Sequence, residues 1–404
     1  MEKNNKKTII AINECSFGST GTINKAILLA ARKAGFQTFF ACHSVRKKEE
    51  SDFIISKNKF SYFINKVLVK IDGSDGFHNK QSTKKLIKWL EQKKPDLIIL
   101  NNMHSHYLNM PMLFNFCLNK RIKIIVILHD CWIFTGKCTH YEYSNCFKWK
   151  EKCFCCPQRN RYPQSYLFDR SSHFFEEKKH ILSCCNDILT FVAPSFWMKT
   201  QLLDSYLSHN SIRIINHGIN LDCESRLTKV NVVSEMSKKY KKVVFAAAHP
   251  FTERKGLSFV MRAANDRPSY LFIVAGLNKR QERQVPHNVL SLGVITNNHE
   301  MNWLYKHADV FLNPTLEETF GLTNIESLRQ GTPVVCFDSG GAAEIIDNKW
   351  SIIVKNKNYS FLLNAIDTIE KNNAVIEECI KNAHKYDIMS MCNSYIKLIN
   401  ELTE

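Results

Sequence analysis

Short apolar runs alternating with helix-length segments occur twice along this 404-residue chain, and that double alternation constrains the fold more than any other feature. In the first half the runs are Thr8–Asn13, Thr38–Ala41, Leu97–Leu100, Ile122–Leu128 and Leu189–Ala193, with a helix over Thr22–Ala34 stopped by Gly35. In the second half they are Val243–Ala248, Leu271–Ala275, Val289–Leu292, Val310–Leu312 and Val334–Phe337. Buried strands joined by helices predict a parallel, doubly wound α/β sheet in each half. A chain of this length exceeds the usual single domain and can bury two cores. The expected division is 1–205, 206–385 and a terminal segment 386–404, with the link inside Pro194–Ser234.

The most informative chemistry lies in Glu318-Thr319-Phe320-Gly321-Leu322-Thr323-Asn324-Ile325-Glu326. Two carboxylates with seven residues between them flank a glycine that opens a helix after the run Val310–Leu312. At a strand's carboxyl end Glu318 can accept hydrogen bonds from ligand hydroxyls, the NH groups of Phe320 and Gly321 point into the crevice, and Glu326 reaches the same ligand two turns on. Together with Gly331-Thr332-Pro333-Val334-Val335 and Ser339-Gly340-Gly341-Ala342-Ala343-Glu344, this segment resembles the donor-binding half of family 4 glycosyltransferases. The resemblance implies the GT-B fold, two Rossmann-like doubly wound domains facing a central cleft, with the segment 386–404 crossing back to the first domain. It also implies that Glu318 holds the donor hexose, Glu326 the ribose, and Gly340-Gly341 lie beside sugar and diphosphate. Leu322 and Thr323 belong to the same donor-binding helix start.

Cys15-Ser16-Phe17-Gly18-Ser19-Thr20-Gly21-Thr22 joins the first strand to the first helix, so Gly18 and Gly21 let backbone NH groups approach an anion. His129-Asp130 follows the buried run Ile122–Leu128, where cleft residues belong. Family members have a histidine at this strand end that contacts the donor sugar, which makes His129 the catalytic candidate beside Glu318. The surrounding run resembles exopolysaccharide glycosyltransferases of the colanic-acid type, as does Asn102-Met103-His104-Ser105-His106. His104, His106 and Asp130 are therefore expected on the acceptor side, Asp130 either orienting His129 or touching acceptor. Asp72-Gly73-Ser74-Asp75-Gly76 reads as a turn.

A cysteine-rich insertion spans about 131–160, with Cys138, Cys146, Cys153 and Cys156 separated by seven, six and two residues. Four thiolates could hold a structural zinc; free thiols are the alternative, and no catalytic metal is expected. The chain has fifteen cysteines including the adjacent pairs Cys155-Cys156 and Cys184-Cys185, a usage that suits reduced thiols. No run of eighteen apolar residues occurs, and Met1-Glu2-Lys3-Asn4-Asn5-Lys6-Lys7 leads straight into a strand. The expected location is cytoplasmic, with peripheral attachment to the inner face of the cell membrane.

With 55 basic and 38 acidic side chains the net charge is +17, which attracts anions without choosing among nucleotide phosphates, acidic lipids and nucleic acid. A compact basic reading helix and an aromatic RNA-binding signature are both missing, so nucleic acid is not an expected partner. From Lys57 to Ile71, Phe60, Phe63, Ile64, Val67, Leu68 and Ile71 fall at helical spacing with Lys59, Lys66 and Lys70 off that stripe. Such a helix either lies on an anionic membrane or packs its stripe on the core.

Many family members carry an Arg after the first strand of the donor domain and a Lys shortly before a Gly, both aimed at the diphosphate. Here Lys255 matches the Lys, but His249 stands where the Arg is often found, so Arg254 or His249 has to compensate. The resemblance implies a retaining, metal-independent glycosyl transfer from a nucleotide-diphosphate sugar to a glycan or lipid-linked glycan. A sugar-nucleotide epimerase of the same fold and a non-catalytic sugar-nucleotide-binding subunit are the competing readings.

Overall fold

The computed structural model describes residues 6–56, 59–221 and 235–404. It divides into two compact units, Met1–Asn216 with Ser390–Glu404, and His217–Met389.

In the first unit seven strands form one parallel sheet: β1 (Thr8–Cys15), β2 (Gln37–Ser44), β3 (Phe53–Ile54), β4 (Leu97–Leu100), β5 (Lys123–Ile127), β6 (Leu189–Ala193) and β7 (Ser211–Ile214). Their spatial order is β3-β2-β1-β4-β5-β6-β7. Ile9, Ile10, Ala11 and Ile12 are fully buried, as a central strand covered by helices on both faces must be. The second unit has six parallel strands, β8 (Lys242–Ala247), β9 (Tyr270–Ala275), β10 (Val289–Ser291), β11 (Val310–Asn313), β12 (Val334–Phe337) and β13 (Ile352–Val354), in the order β10-β9-β8-β11-β12-β13. Both units are thus doubly wound Rossmann-like sheets.

Three features differ from the sequence reading. The first unit runs to Asn216 rather than to 205, because β7 pairs with β6 and completes the first sheet. The first helix starts at Gly18 rather than Thr22, which puts Gly18 and Gly21 in its opening turn. The segment Lys57–Ile71 begins outside the described residues, and its helix is described over Lys59–Asp72. That helix turns Asn65 and Val69 inward, while Phe60, Phe63, Ile64, Val67 and Leu68 are exposed. Its apolar stripe therefore does not pack on the core. The expected link Pro194–Ser234 lies outside the described residues from 222 onward.

Candidate active site

In the second unit strand order reverses between β8 and β11, where an open α/β sheet leaves a crevice beyond its strand ends. The loops after these two strands carry the predicted donor residues. Glu318, in the loop after β11, is ion-paired with Lys255 from the loop after β8. The carboxylate assigned to sugar hydroxyls and the ammonium assigned to the diphosphate thus neutralise each other. Arg254 donates from Nη1 to the Glu317 carbonyl at 3.3 Å, which fixes it to the strand-end backbone.

The Gly340-Gly341 turn is stitched to the same place. Gly341 N–H donates to the Glu318 carbonyl at 2.9 Å. Gly340 has φ +56°, and a Cβ there would lie 1.9 Å from that carbonyl oxygen, so only glycine permits the approach. Gly321, at φ +96°, precedes the helix Leu322–Arg329, whose first residues turn their NH groups outward. Phe320 is buried against His217 and Tyr386, so its side chain belongs to the core. Glu326 accepts from the Tyr305 hydroxyl at 3.0 Å; burial pushes its carboxyl above the ordinary value and that bond opposes the shift. A cavity of about 180 Å³ opens at the ends of β8 and β9, lined by Ala248, His249, Gly276, Met301 and Thr323 among others. His249 therefore stands beside space for a ligand.

Two contributors escaped the sequence reading. Buried Asn324 donates to the Ala342 carbonyl at 3.1 Å and accepts from Asn313 at 2.7 Å, joining the end of β11, the donor helix and the glycine turn. An asparagine at a strand terminus, followed eleven positions on by one inside a helix, is the only signal. Glu317, the residue before Glu318, is 1% exposed, so its side chain is part of the interior.

In the first unit order reverses between β1 and β4, and the residues at those strand ends form one chain of hydrogen bonds. His129 Nε2 lies 2.8 Å from Asn101 Oδ1, Asn101 Nδ2 donates to Asn24 Oδ1 at 2.8 Å, and Asn24 donates to the Thr20 carbonyl at 2.8 Å. The glycine loop after β1 is thereby fixed to His129. At Gly21 a Cβ would lie 2.4 Å from the Ser16 carbonyl carbon. Burial drives the His129 imidazole down to about 4, although Asp130 pulls it up, so it is neutral at physiological pH.

The hydrogen bonds of Asp130 go to His104 and Trp132. Its Oδ2 lies 2.7 Å from His104 Nε2 and its Oδ1 accepts from Trp132 N–H at 2.9 Å. Burial lowers the affinity of His104 for its proton, but Asp130 outweighs this and holds the imidazole above its usual range. His104 Nδ1 is 2.8 Å from the Tyr162 hydroxyl. The Asp72–Gly76 turn also proves to be more than a turn. Buried Asp75 accepts from Ser105 N–H at 2.9 Å and His106 N–H at 2.8 Å, and its carboxylate lies 3.2 Å from the His106 ring. His104, His106, Asp130, Asp75 and Tyr162 thus make one polar cluster, of which Asp75 and Tyr162 were not foreseen.

Cys138, Cys146, Cys153 and Cys156 line one cavity of about 10 Å³, and Gly136 N–H donates to Cys153 Sγ at 3.1 Å. Among the described residues no group of three or more His, Cys, Asp or Glu side chains is already arranged to hold a metal ion. Buried Lys137 beside the cluster donates to the carbonyls of Gln158, Arg159 and Arg161, closing the insertion on itself.

Comparison with known proteins agrees with this geometry. Residues 22–223, half of the chain, match the family model described as Glycosyltransferase Family 4, and residues 232–386 match the model for Glycosyl transferases group 1. A Klebsiella pneumoniae protein of 41.2 kDa from the cps region, itself uncharacterised, is 24% identical over 323 residues, 78% of this chain and 81% of that one. WcaC of Escherichia coli K12, provisionally named a colanic acid biosynthesis glycosyl transferase, is 24% identical over 265 residues, 62% of each chain. The crystal structure of Anabaena HepE in complex with UDP-glucose superposes with TM-score 0.64 at 12% identity, covering 98% of this chain and 99% of that one.

Proposed function

Since this chain belongs to glycosyltransferase family 4 and is a glycosyltransferase, we propose that it moves a hexose from a nucleotide-diphosphate sugar to a growing, lipid-linked bacterial surface polysaccharide. The transfer retains anomeric configuration and uses no catalytic metal. One observation carries the reading: Glu318, Lys255 and the Gly340-Gly341 turn converge where the second sheet reverses, beside the cavity that holds His249 and Thr323. A sugar with hydroxyls for Glu318, a diphosphate for Lys255 and the helix start, and a base in that cavity would use every one of these groups. Similarity to WcaC and to a protein of a cps region supports a surface polysaccharide as the product. The acceptor's hydroxyl would meet the polar cluster of His104, His106 and Asp75. Work at the inner face of the cell membrane follows from a lipid-linked acceptor, and among the described residues no helix is long and apolar enough to cross a membrane.

UDP-glucose, the ligand of HepE, is the first donor to test. At one hundred times its dissociation constant a donor stabilises the native state by about 2.7 kcal/mol, read as a rise in unfolding temperature. No rise with any nucleotide-diphosphate sugar in a panel would overturn the reading. Conversion of the donor sugar to its epimer without acceptor would mean an epimerase instead.

A structural zinc on Cys138, Cys146, Cys153 and Cys156 is a further part of the proposal, supported by their convergence on one cavity. Their side chains have to rotate to close a tetrahedron. Protein purified without chelator is expected to carry about one zinc, and its removal should expose the insertion to protease while sparing donor binding by the second unit. Under roughly a tenth of an equivalent in metal analysis, the thiols are free.

A further inference from the structure

Two lysines are buried near the cysteine-lined cavity, and a buried ammonium group calls for a negative partner. Lys137 is 2% exposed, and Lys178, from the helix Ser171–Cys184, is fully buried. Lys137 Nζ donates to the carbonyls of Gln158, Arg159 and Arg161. Lys178 Nζ donates to the Trp132 carbonyl and stands 4.0 Å from the centre of the Trp132 ring. Carbonyl dipoles and a ring face soften the burial of a cation without cancelling its charge. Among the described residues neither ammonium makes an ion pair with a carboxylate. The carboxylates within electrostatic reach are already engaged: Asp130 with His104, Asp75 with His106, and Asp169 with the N–H groups of Cys156 and Ser171.

The cysteines are the groups placed to supply the missing charge. Burial opposes the charged form of both lysines. What most favours it is Cys153 and then Cys138 at Lys178, and Cys156 and then Cys138 at Lys137, in each case ahead of any carboxylate. Donors already face these sulfurs. Gly136 N–H donates to Cys153 Sγ at 3.1 Å; burial raises the Cys156 thiol, and the Gln158 N–H works against that rise by favouring the thiolate. Trp149 is 1% exposed and lines the same cavity, and its indole Nε1 has no hydrogen-bond partner.

Four neutral thiols leave both ammonium groups uncompensated in the interior. Four thiolates around a divalent ion carry two negative charges in excess, one for each buried lysine. Charge balance therefore separates a metal centre from free thiols where the spacing of the cysteines does not.

We infer that Lys137 and Lys178 are the buried counter-cations of a divalent metal ion held by the thiolates of Cys138, Cys146, Cys153 and Cys156, the whole forming one electroneutral centre. The inference rests on the proposed structural zinc. Lys178 ties that centre to the body of the first unit: Phe175, Ile181 and Leu182 of its helix belong to the hydrophobic core, and its ammonium holds the carbonyl of Trp132, two residues beyond Asp130.

Zinc affinity of the full chain, read by competition with a chromophoric chelator under reducing conditions, tests it. Lys178→Met should lower that affinity roughly tenfold to a hundredfold, although no ligand is touched, because two uncompensated negative charges become harder to bury. Cys146→His alone should also lower it. Combined with Lys178→Met it should recover most of the loss, since an imidazole is a neutral ligand and three thiolates, the ion and one ammonium again balance. In the metal-free protein the sign reverses: Lys178→Met should unfold at a higher temperature than the wild type, because a lone buried ammonium has been removed. A lysine that only packs would lower stability with and without metal and show no recovery. Lys137→Met reads the same balance at a second position, so one variant that fails to fold leaves the other to decide. Unchanged zinc affinity in the folded lysine variants, or no recovery in the double variant, overturns the counter-cation role and leaves the zinc site standing. A wild type that binds no zinc overturns the site and the role together.

Discussion

Glu318→Gln is expected to lower kcat/KM for transfer roughly a thousandfold, because two charge-assisted hydrogen bonds to sugar hydroxyls, at about 2 kcal/mol each, become neutral ones or disappear. The ion pair with Lys255 sharpens this expectation. In the resting chain each group satisfies the other, so a donor must insert between them or share them, and losing the carboxylate frees the ammonium for the diphosphate. Glu318→Gln should therefore lose turnover while keeping much of its affinity for the bare nucleoside diphosphate. Lys255→Met should lose that affinity instead. Glu326→Gln belongs with the affinity losses, since its carboxylate stands at the Tyr305 hydroxyl, away from the ion pair. The neighbouring Glu317 is buried, so its replacement is read by the shift in unfolding temperature and not by turnover. Equal loss of nucleoside diphosphate binding in Glu318→Gln and Lys255→Met would mean that the two groups do not divide the donor in this way.

Most of what positions the donor was legible in the residues, because it depends on features with strong local signatures. A buried apolar run, a turn with a Phe-Gly step and a Gly-Gly pair each report a backbone requirement, and β4, β6 and β12 appear over the very residues that the apolar pattern marks. Edge strands left less trace. Residues Ser211–Ile214 alternate in exposure and include Arg213, so their membership of the first sheet rests on pairing with β6, which no pattern within these four residues reveals.

The polar networks were harder still to read. Asn13, Asn24, Asn101, Asn313 and Asn324 are all nearly or fully buried, and each fixes a loop through its amide. A single asparagine carries no signature of the partner the fold will bring to it, as Asn24 is brought to Asn101 and Asn324 to Asn313. Asp75 shows the same limit from the other side. Its place in a glycine turn explains it locally, yet the fold uses it to hold Ser105 and His106. The direction of the Lys59–Asp72 helix was undecided for a related reason: periodicity identifies a stripe but not which side the rest of the chain covers.

Gly340→Ala should show how far donor binding depends on the close approach between the glycine turn and Glu318. An alanine Cβ at this position would lie 1.9 Å from the Glu318 carbonyl oxygen, so the turn has to retreat and Gly341 N–H loses its bond to that carbonyl. Displacing a positioning loop by about 1 Å costs on the order of a hundredfold in turnover, and the loss of the turn beside sugar and diphosphate should weaken donor affinity by a similar factor. The φ of +56° adds a strain of roughly 1–2 kcal/mol, which also lowers the unfolding temperature. Gly293→Ala separates the two effects. It shares the strain, at φ +59°, but its nearest neighbour is a Glu282 carboxylate oxygen at 3.6 Å, ordinary contact. Both variants should unfold a few degrees earlier, and only Gly340→Ala should lose donor binding in titration calorimetry. If Gly293→Ala weakens the donor as much, or Gly340→Ala binds it as the wild type does, the contact between turn and carboxylate loop is not what shapes the donor site.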